Sequence, residues 1–223
     1  MTARSAVVLG PGGPVGTAWL AGLAAGLRRE GVDLGAADLI VGTSAGAIVG
    51  AIVAGGGDLD RLATLPPPTD PGGGVRTDPE SLAAVFATLG DAETGEAVIW
   101  DRHGTASLPE AVAASTAFPG TAPPITIGGR RYIDGALRAG INLDLASDAG
   151  VLIVAEPMAQ VSGPDGAAAG ERVVVRLVPD AGAIEAFGKD ITERTRWAPA
   201  YQAGVRQAPE AAGRIREYWV DPP

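Results

Sequence analysis

Asp38-Leu39-Ile40-Val41-Gly42-Thr43-Ser44-Ala45-Gly46 runs straight into Ala47-Ile48-Val49-Gly50-Ala51-Ile52-Val53-Ala54. The first apolar run is short enough for a buried strand, and the second is long enough for a helix. Gly55-Gly56-Gly57 then ends the helix. Between the two lies Gly42-x-Ser44-x-Gly46. A serine in that pattern, on a sharp strand-to-helix turn, projects its hydroxyl from the end of a sheet. The helix that follows points free N–H groups and partial positive charge toward the same place. The bland alternative is a glycine-rich turn with a capping serine.

The residues before this stretch repeat its plan. Ala6-Val7-Val8-Leu9 reads as a buried strand, Gly10-Pro11-Gly12-Gly13-Pro14-Val15-Gly16 as a loop, and Thr17 to Glu30 as a helix. Trp19, Leu20, Leu23, Ala24 and Leu27 lie at helical spacing, and Gly31 follows as a stop. Strand–loop–helix–strand–turn–helix predicts a parallel sheet with helices on its faces. The glycine loop fits two chemistries, a cradle for a pyrophosphate or a set of N–H donors for an oxyanion. Counting from Gly10, the sixth residue is Val15, so a dinucleotide register is missing. A loop that only packs helix on strand is the third reading.

Downstream, residues 59–79 carry Pro66-Pro67-Pro68 and Gly72-Gly73-Gly74 and read as a flexible or irregular connection. Residues 80–89 are ambiguous. Ala97–Trp100 reads as a strand and Leu108–Ala114 as a short helix. Ile125–Ile127 and Tyr132-Ile133 flank Gly128-Gly129 as a hairpin. Val151–Ala155 and Val173–Val178 read as further strands. Glu193 to Tyr218 reads as helix interrupted at Pro199 and Pro209.

The 223 residues suffice for one domain with a substantial core, and we expect a single domain over residues 1–223. A net charge of −9 argues against a nucleic-acid partner and against attraction to anionic headgroups. With no cysteine, disulfides and thiolate metal sites are excluded. No metal-ligand cluster and no cofactor motif stands out. The N-terminus lacks the pattern of a signal peptide. The longest apolar stretch, 39–54, falls short of the ~20 residues that a spanning helix needs. The expected setting is cytoplasmic, peripheral at a membrane at most.

A nucleophilic serine needs a base. The lone histidine, His103, lies in the polar turn Asp101-Arg102-His103-Gly104 and reads as a surface residue. The other candidate is Asp134 in Tyr132-Ile133-Asp134-Gly135-Ala136, which ends a short apolar strand. Its plain reading is a turn aspartate.

The glycine loop, Gly42-Thr43-Ser44-Ala45-Gly46 and Asp134-Gly135-Ala136 stand in an order that resembles the patatin-like phospholipase family. Ala111 to Gly120 with Pro123-Pro124, and Asn142-Leu143-Asp144-Leu145-Ala146, also look like that family's segments around its aspartate. The resemblance spans about residues 5 to 155. It implies a three-layer α/β/α fold with a mainly parallel central sheet, and a Ser-Asp dyad that cleaves acyl esters of lipids. Ser44 would be the nucleophile and Asp134 the base. Gly12 and Gly13, with Ala45 at the start of the serine helix, would donate N–H groups to the oxyanion. Gly10, Gly16, Gly42, Gly46, Gly135 and Ala136 complete the motifs. The implied partner is a lipid or other acyl ester, with transient contact to a membrane surface. The chain departs from the family at Pro11, where glycine is usual, at Val15, where a basic residue is frequent, and in a short segment between the serine helix and Asp134. An acyltransferase with the same dyad, and a non-catalytic binding module, are the competing readings.

Overall fold

The computed structural model describes residues 5–65, 85–101, 103–162 and 173–219. In chain order it forms β1 (Ser5–Leu9), α1 (Gly13–Arg29), β2 (Leu39–Gly42), α2 (Ala45–Ala54), β3 (Val85–Asp91), β4 (Ala97–Trp100) and α3 (Leu108–Ser115). Then come β5 (Ile125–Ile127), β6 (Arg130–Asp134), α4 (Ala136–Ala139), β7 (Val151–Ala155), α5 (Ala159–Ser162), β8 (Val173–Leu177), α6 (Ala181–Phe187) and α7 (Trp197–Arg216).

The strands join in one sheet in the order β5-β6-β3-β2-β1-β7-β8, with β4 also paired to β3. β3, β2, β1, β7 and β8 run parallel. β4 and β6 run antiparallel to β3, and β5 antiparallel to β6. The α/β fold with a mainly parallel sheet is therefore present as the sequence implies. Strands buried on both faces explain why β1 and β7 are apolar at successive positions rather than alternating.

The two faces differ in what covers them. On one, Val7, Leu9, Ile40, Ile153 and Val175 pack with residues of α1, α2, α6 and α7. On the other, Ala6, Val8, Val41, Leu152 and Val154 pack against Ile141, Leu143, Ala146 and Ala149. That second cover is made of short turns, including a single 3-10 turn at Leu143–Ala146.

Three expectations change. The helix after the glycine loop starts at Gly13, not Thr17. Pro14 sits in its first turn, where a missing N–H costs no helical bond and a fixed φ suits the start. The C-terminal helix is continuous: Pro199 falls in its first turn, and Pro209 lies inside α7 without ending it. The buried face of α7, with Tyr201, Ala208, Ala212 and Ile215, holds the helix against α1 and offsets the lost backbone bond. Of the irregular connection expected over 59–79, the described part forms one 3-10 turn, Leu59–Leu62, capped by Asp58; residues 66–79 lie outside the described residues. The ambiguous stretch resolves in part, since Val85–Asp91 is β3. The hairpin forms as expected. Gly128 and Gly129 both take positive φ (58° and 81°), as its two-residue turn requires.

Among the described residues, no helix is long and apolar enough to cross a membrane.

Candidate active site

The sheet register brings the serine turn and the aspartate together. β3 pairs with β2 through Val85–Ala87, with β4 through Ala87–Gly90 and with β6 through Leu89–Asp91. A strand has two edges. Because β4 overlaps both of the others, β2 and β6 must share the opposite edge. β2 runs along that edge and ends at Gly42, opposite Ala87. β6 comes from the other direction and ends at Asp134, opposite Leu89. The two strand ends meet nearly head to head, Ser44 just beyond one and Asp134 at the tip of the other.

The turn at Ser44 is sharp. Ser44 has φ +53° and ψ −114°, a conformation that a non-glycine residue adopts only where the surroundings hold it. Its two glycine neighbours are dictated by space. A Cβ on Gly42 would lie 2.7 Å from the Ala47 Cα and the Gly46 carbonyl oxygen, and one on Gly46 would lie 1.9 Å from the Leu9 carbonyl oxygen. The Thr43 N–H donates to that Leu9 oxygen at 3.0 Å, tying the turn to β1. The Ser44 N–H donates to the Ser115 Oγ at 3.0 Å, tying it to the end of α3.

Ser115 has no separate signal in the sequence beyond its place in Ala-Ser-Thr-Ala-Phe-Pro; only the fold aims its hydroxyl at the turn. Ser115→Ala would leave the Ser44 N–H without this acceptor in a strained turn. It is expected to cost about 1–3 kcal/mol of stability, measurable as a lower urea midpoint.

Asp134 is 1% exposed. Its backbone N–H donates to the Ala117 carbonyl at 3.1 Å, and its Oδ1 accepts from the Ala136 N–H at 2.9 Å. The Ser44 hydroxyl is near enough to favour the ionised form of Asp134. Burial pushes its carboxyl above the ordinary aspartate value of 3.8; the Ala136 N–H and the Ser44 hydroxyl act in the opposite direction without cancelling this. His103 is exposed, in the turn after β4 where its N–H donates to Asp101.

The glycine loop lies beside the serine turn because β1 and β2 are parallel neighbours ending in register, Leu9 opposite Gly42. The Gly10 N–H extends the β1–β7 ladder to the Ala155 carbonyl. Gly12 and Gly16 are crowded by Pro157. A Cβ at either would approach the Pro157 Cβ to 2.8 or 3.0 Å, so this proline after β7 presses the loop into place. Gly13 has φ +57°. The Val15 N–H is taken by the Ile191 carbonyl and the Gly16 N–H by the Gly12 carbonyl. Among the described residues, no protein acceptor meets the N–H groups of Gly12, Gly13 or Ala45. Pro11, with no N–H, precedes these donors without displacing them.

Among the described residues no group of His, Asp or Glu is placed to hold a metal ion. Gly135 and Ala136 form the turn from Asp134 into α4.

No curated protein matches the chain. The family model described as patatin-like phospholipase matches residues 57–147. That region contains Ser115, Asp134-Gly135-Ala136 and Asn142, while the glycine loop and the serine turn lie before it. With the α/β sheet in place around these motifs, residues 57–147 are similar to the patatin-like phospholipase family, a family of lipid acyl hydrolases.

Proposed function

We propose that the protein is a serine acyl hydrolase that cleaves ester bonds of lipids through Ser44 and Asp134. The meeting of the two strand ends, with the Ser44 hydroxyl acting on the buried Asp134 carboxyl, carries the reading. Ser44 Oγ attacks the ester carbonyl carbon while its proton passes to Asp134. The negative charge on the carbonyl oxygen is met by the N–H groups of Gly12 and Gly13, with Ala45 at the start of α2. Collapse breaks the ester C–O bond, and Asp134 returns its proton to the departing alcohol. Water then attacks the acyl-enzyme and gives its proton to Asp134. The fatty acid leaves as Ser44 recovers its hydrogen.

Two exposed apolar side chains support a lipid substrate. Phe118 is 42% exposed and Leu137 is 55% exposed. One follows the Ala117 carbonyl that receives the Asp134 N–H, and the other lies three residues after Asp134. They offer an acyl chain contact beside the reacting carbonyl, and would meet the lipid phase when substrate is drawn from a membrane surface. The charge of −9 suits neutral lipid better than anionic headgroups.

A fluorophosphonate probe tests the nucleophile: it should label the protein at Ser44. A folded protein that takes no label would refute the reading in favour of a binding module.

The raised carboxyl predicts the pH profile. Asp134 must be ionised to accept a proton, so kcat/KM should fall as pH drops through a value above 3.8. An acid limb at or below 3.8, measured on p-nitrophenyl butyrate, would contradict Asp134 as the base. The same shift has a sign for stability. Above 3.8 the folded protein binds more protons at this site than the unfolded chain, so stability falls as pH rises through the raised pKa. Asp134→Asn should therefore be at least as stable as wild type at neutral pH while losing activity.

A further inference from the structure

Asn142 is fully buried, at 0% exposed, and has φ +55°, one of two non-glycine residues with positive φ among those described; the other is Ser44. Its side-chain amide is surrounded on both ends. The Oδ1 accepts from Arg138 Nη1 at 2.8 Å. Arg138 is itself held by Asp144, at 3.1 Å through Nη1 and 2.6 Å through Nη2. With a guanidinium facing its carbonyl end, the amide must turn its NH2 the other way. There Nδ2 donates to Thr43 Oγ1 at 3.0 Å and to the Gly135 carbonyl at 3.3 Å, with the Gly140 carbonyl also in reach at 3.4 Å. Thr43 is the residue immediately before Ser44, and Gly135 the residue immediately after Asp134. One side chain thus spans the two strand ends that β3 brings together.

We propose that Asn142 is a positioning residue that sets the separation of Ser44 and Asp134 by bridging Thr43 to Gly135, with Arg138 fixing which end of its amide faces the site. This rests on the dyad reading above. Neither bridged residue reacts, so the bridge acts through the placement of its neighbours. Sheet register alone leaves the loops after Gly42 and Asp134 free to shift against each other, because neither is in the β3 ladder. A small misplacement of a nucleophile from its base costs turnover steeply, about 10²-fold for ~1 Å. The NH2 group of one planar amide reaches both loops at once. The left-handed backbone at Asn142 is tolerated better by asparagine than by most residues, and lets the side chain point back into the site.

Thr43→Val keeps the shape of the side chain and removes the hydroxyl that accepts from Asn142, while Thr43→Ser keeps the hydroxyl. Asn142→Gly keeps the left-handed backbone and removes the amide. The experiment compares kcat and KM on p-nitrophenyl butyrate, per site labelled at completion by a fluorophosphonate, with Ser44→Ala run in parallel. Thr43→Val and Asn142→Gly should each lower kcat about 10- to 100-fold, with KM within about twofold. The double variant should be no worse than Asn142→Gly alone, because both remove the same link. Thr43→Ser should stay near wild type. If turnover per labelled site in Thr43→Val equals wild type, or if Thr43→Ser falls as far as Thr43→Val, the bridge has no positioning role. Should Asn142→Gly fail to fold, the Thr43 pair decides alone. Wild-type turnover that survives Ser44→Ala would instead overturn the dyad reading, and the bridge's role with it.

Discussion

Ser44→Ala should lower ester turnover by about 10³-fold or more, with the protein still folded. The serine hydroxyl is the only atom group that changes, and in the proposed reaction it forms the covalent bond to the acyl group. Asp134→Asn should lose a comparable amount, since an amide cannot take the proton from Ser44. The double variant should be no slower than either single one. Two residues that serve one proton transfer and one bond formation act as a unit, so their losses do not add. Turnover on p-nitrophenyl butyrate, corrected for active sites titrated in the wild type, measures all three. Full turnover in Asp134→Asn would mean that another group takes the proton. Losses that multiply in the double variant would mean that Ser44 and Asp134 act in separate steps. Stability separates this from simple unfolding. Ala45–Ala54 starts without a side-chain cap from Ser44, so alanine removes no capping bond. The remaining cost is the positive φ, which both residues bear.

Gly22→Ala should destabilise the fold by about 3 kcal/mol or more, a Tm drop of roughly 6–12 °C for a chain of this size. In an isolated helix the same change would favour α1 by up to ~1 kcal/mol. The sign reverses because α1 and α7 cross with almost no space between their backbones. A Cβ on Gly22 would lie 2.0 Å from the Tyr201 carbonyl oxygen. On the facing helix, a Cβ on Gly204 would lie 2.2 Å from the Trp19 carbonyl oxygen. The clashing atoms are backbone on both sides, so no side chain can swing away, and the helices must separate. Separation would open the core in which Trp19 and Tyr201 are buried and break the bond from Trp19 Nε1 to Gln207 at 2.7 Å. It would also shift the start of α1, where Gly12 and Gly13 lie, so activity should fall along with stability. Gly213→Ala is the control. It lies on α7 with no atom within 4 Å of its would-be Cβ, and should be neutral or slightly stabilising. Equal melting temperatures for Gly22→Ala and wild type would show that the helices do not meet so closely.

Much of the fold was legible from residue order, for reasons that particular elements show. β1, β2 and β7 are short apolar runs, and a parallel strand buried on both faces has no other composition open to it. The serine turn was legible because its glycines answer contacts within a few residues or with the neighbouring strand. The helix start at Gly13 was misread, since glycine and proline suggest a loop even where proline opens a helix well. The continuity of α7 was misread because Pro209 is a breaker by local rule, and only packing against α1 overrides it. Ser115 and Pro157 carried no local pattern that would connect them to a site over 70 residues away from the loops that they hold. Asn142 was visible only as part of a family resemblance.

The sequence by itself determined the chemistry on offer: a serine between glycines at the head of a helix, a glycine loop one strand away, and an aspartate at a strand end. These are local features, encoded within five or six residues each. Only the tertiary structure decided that they face one another. β3 lends one edge to both β2 and β6, which delivers Ser44 and Asp134 from opposite directions. Burial then raises the Asp134 carboxyl, and the Asn142 amide spans Thr43 and Gly135. Each of these depends on the relative placement of segments about 90 residues apart. No local propensity specifies such placement, because it comes from which strand edges and helix faces can be buried together.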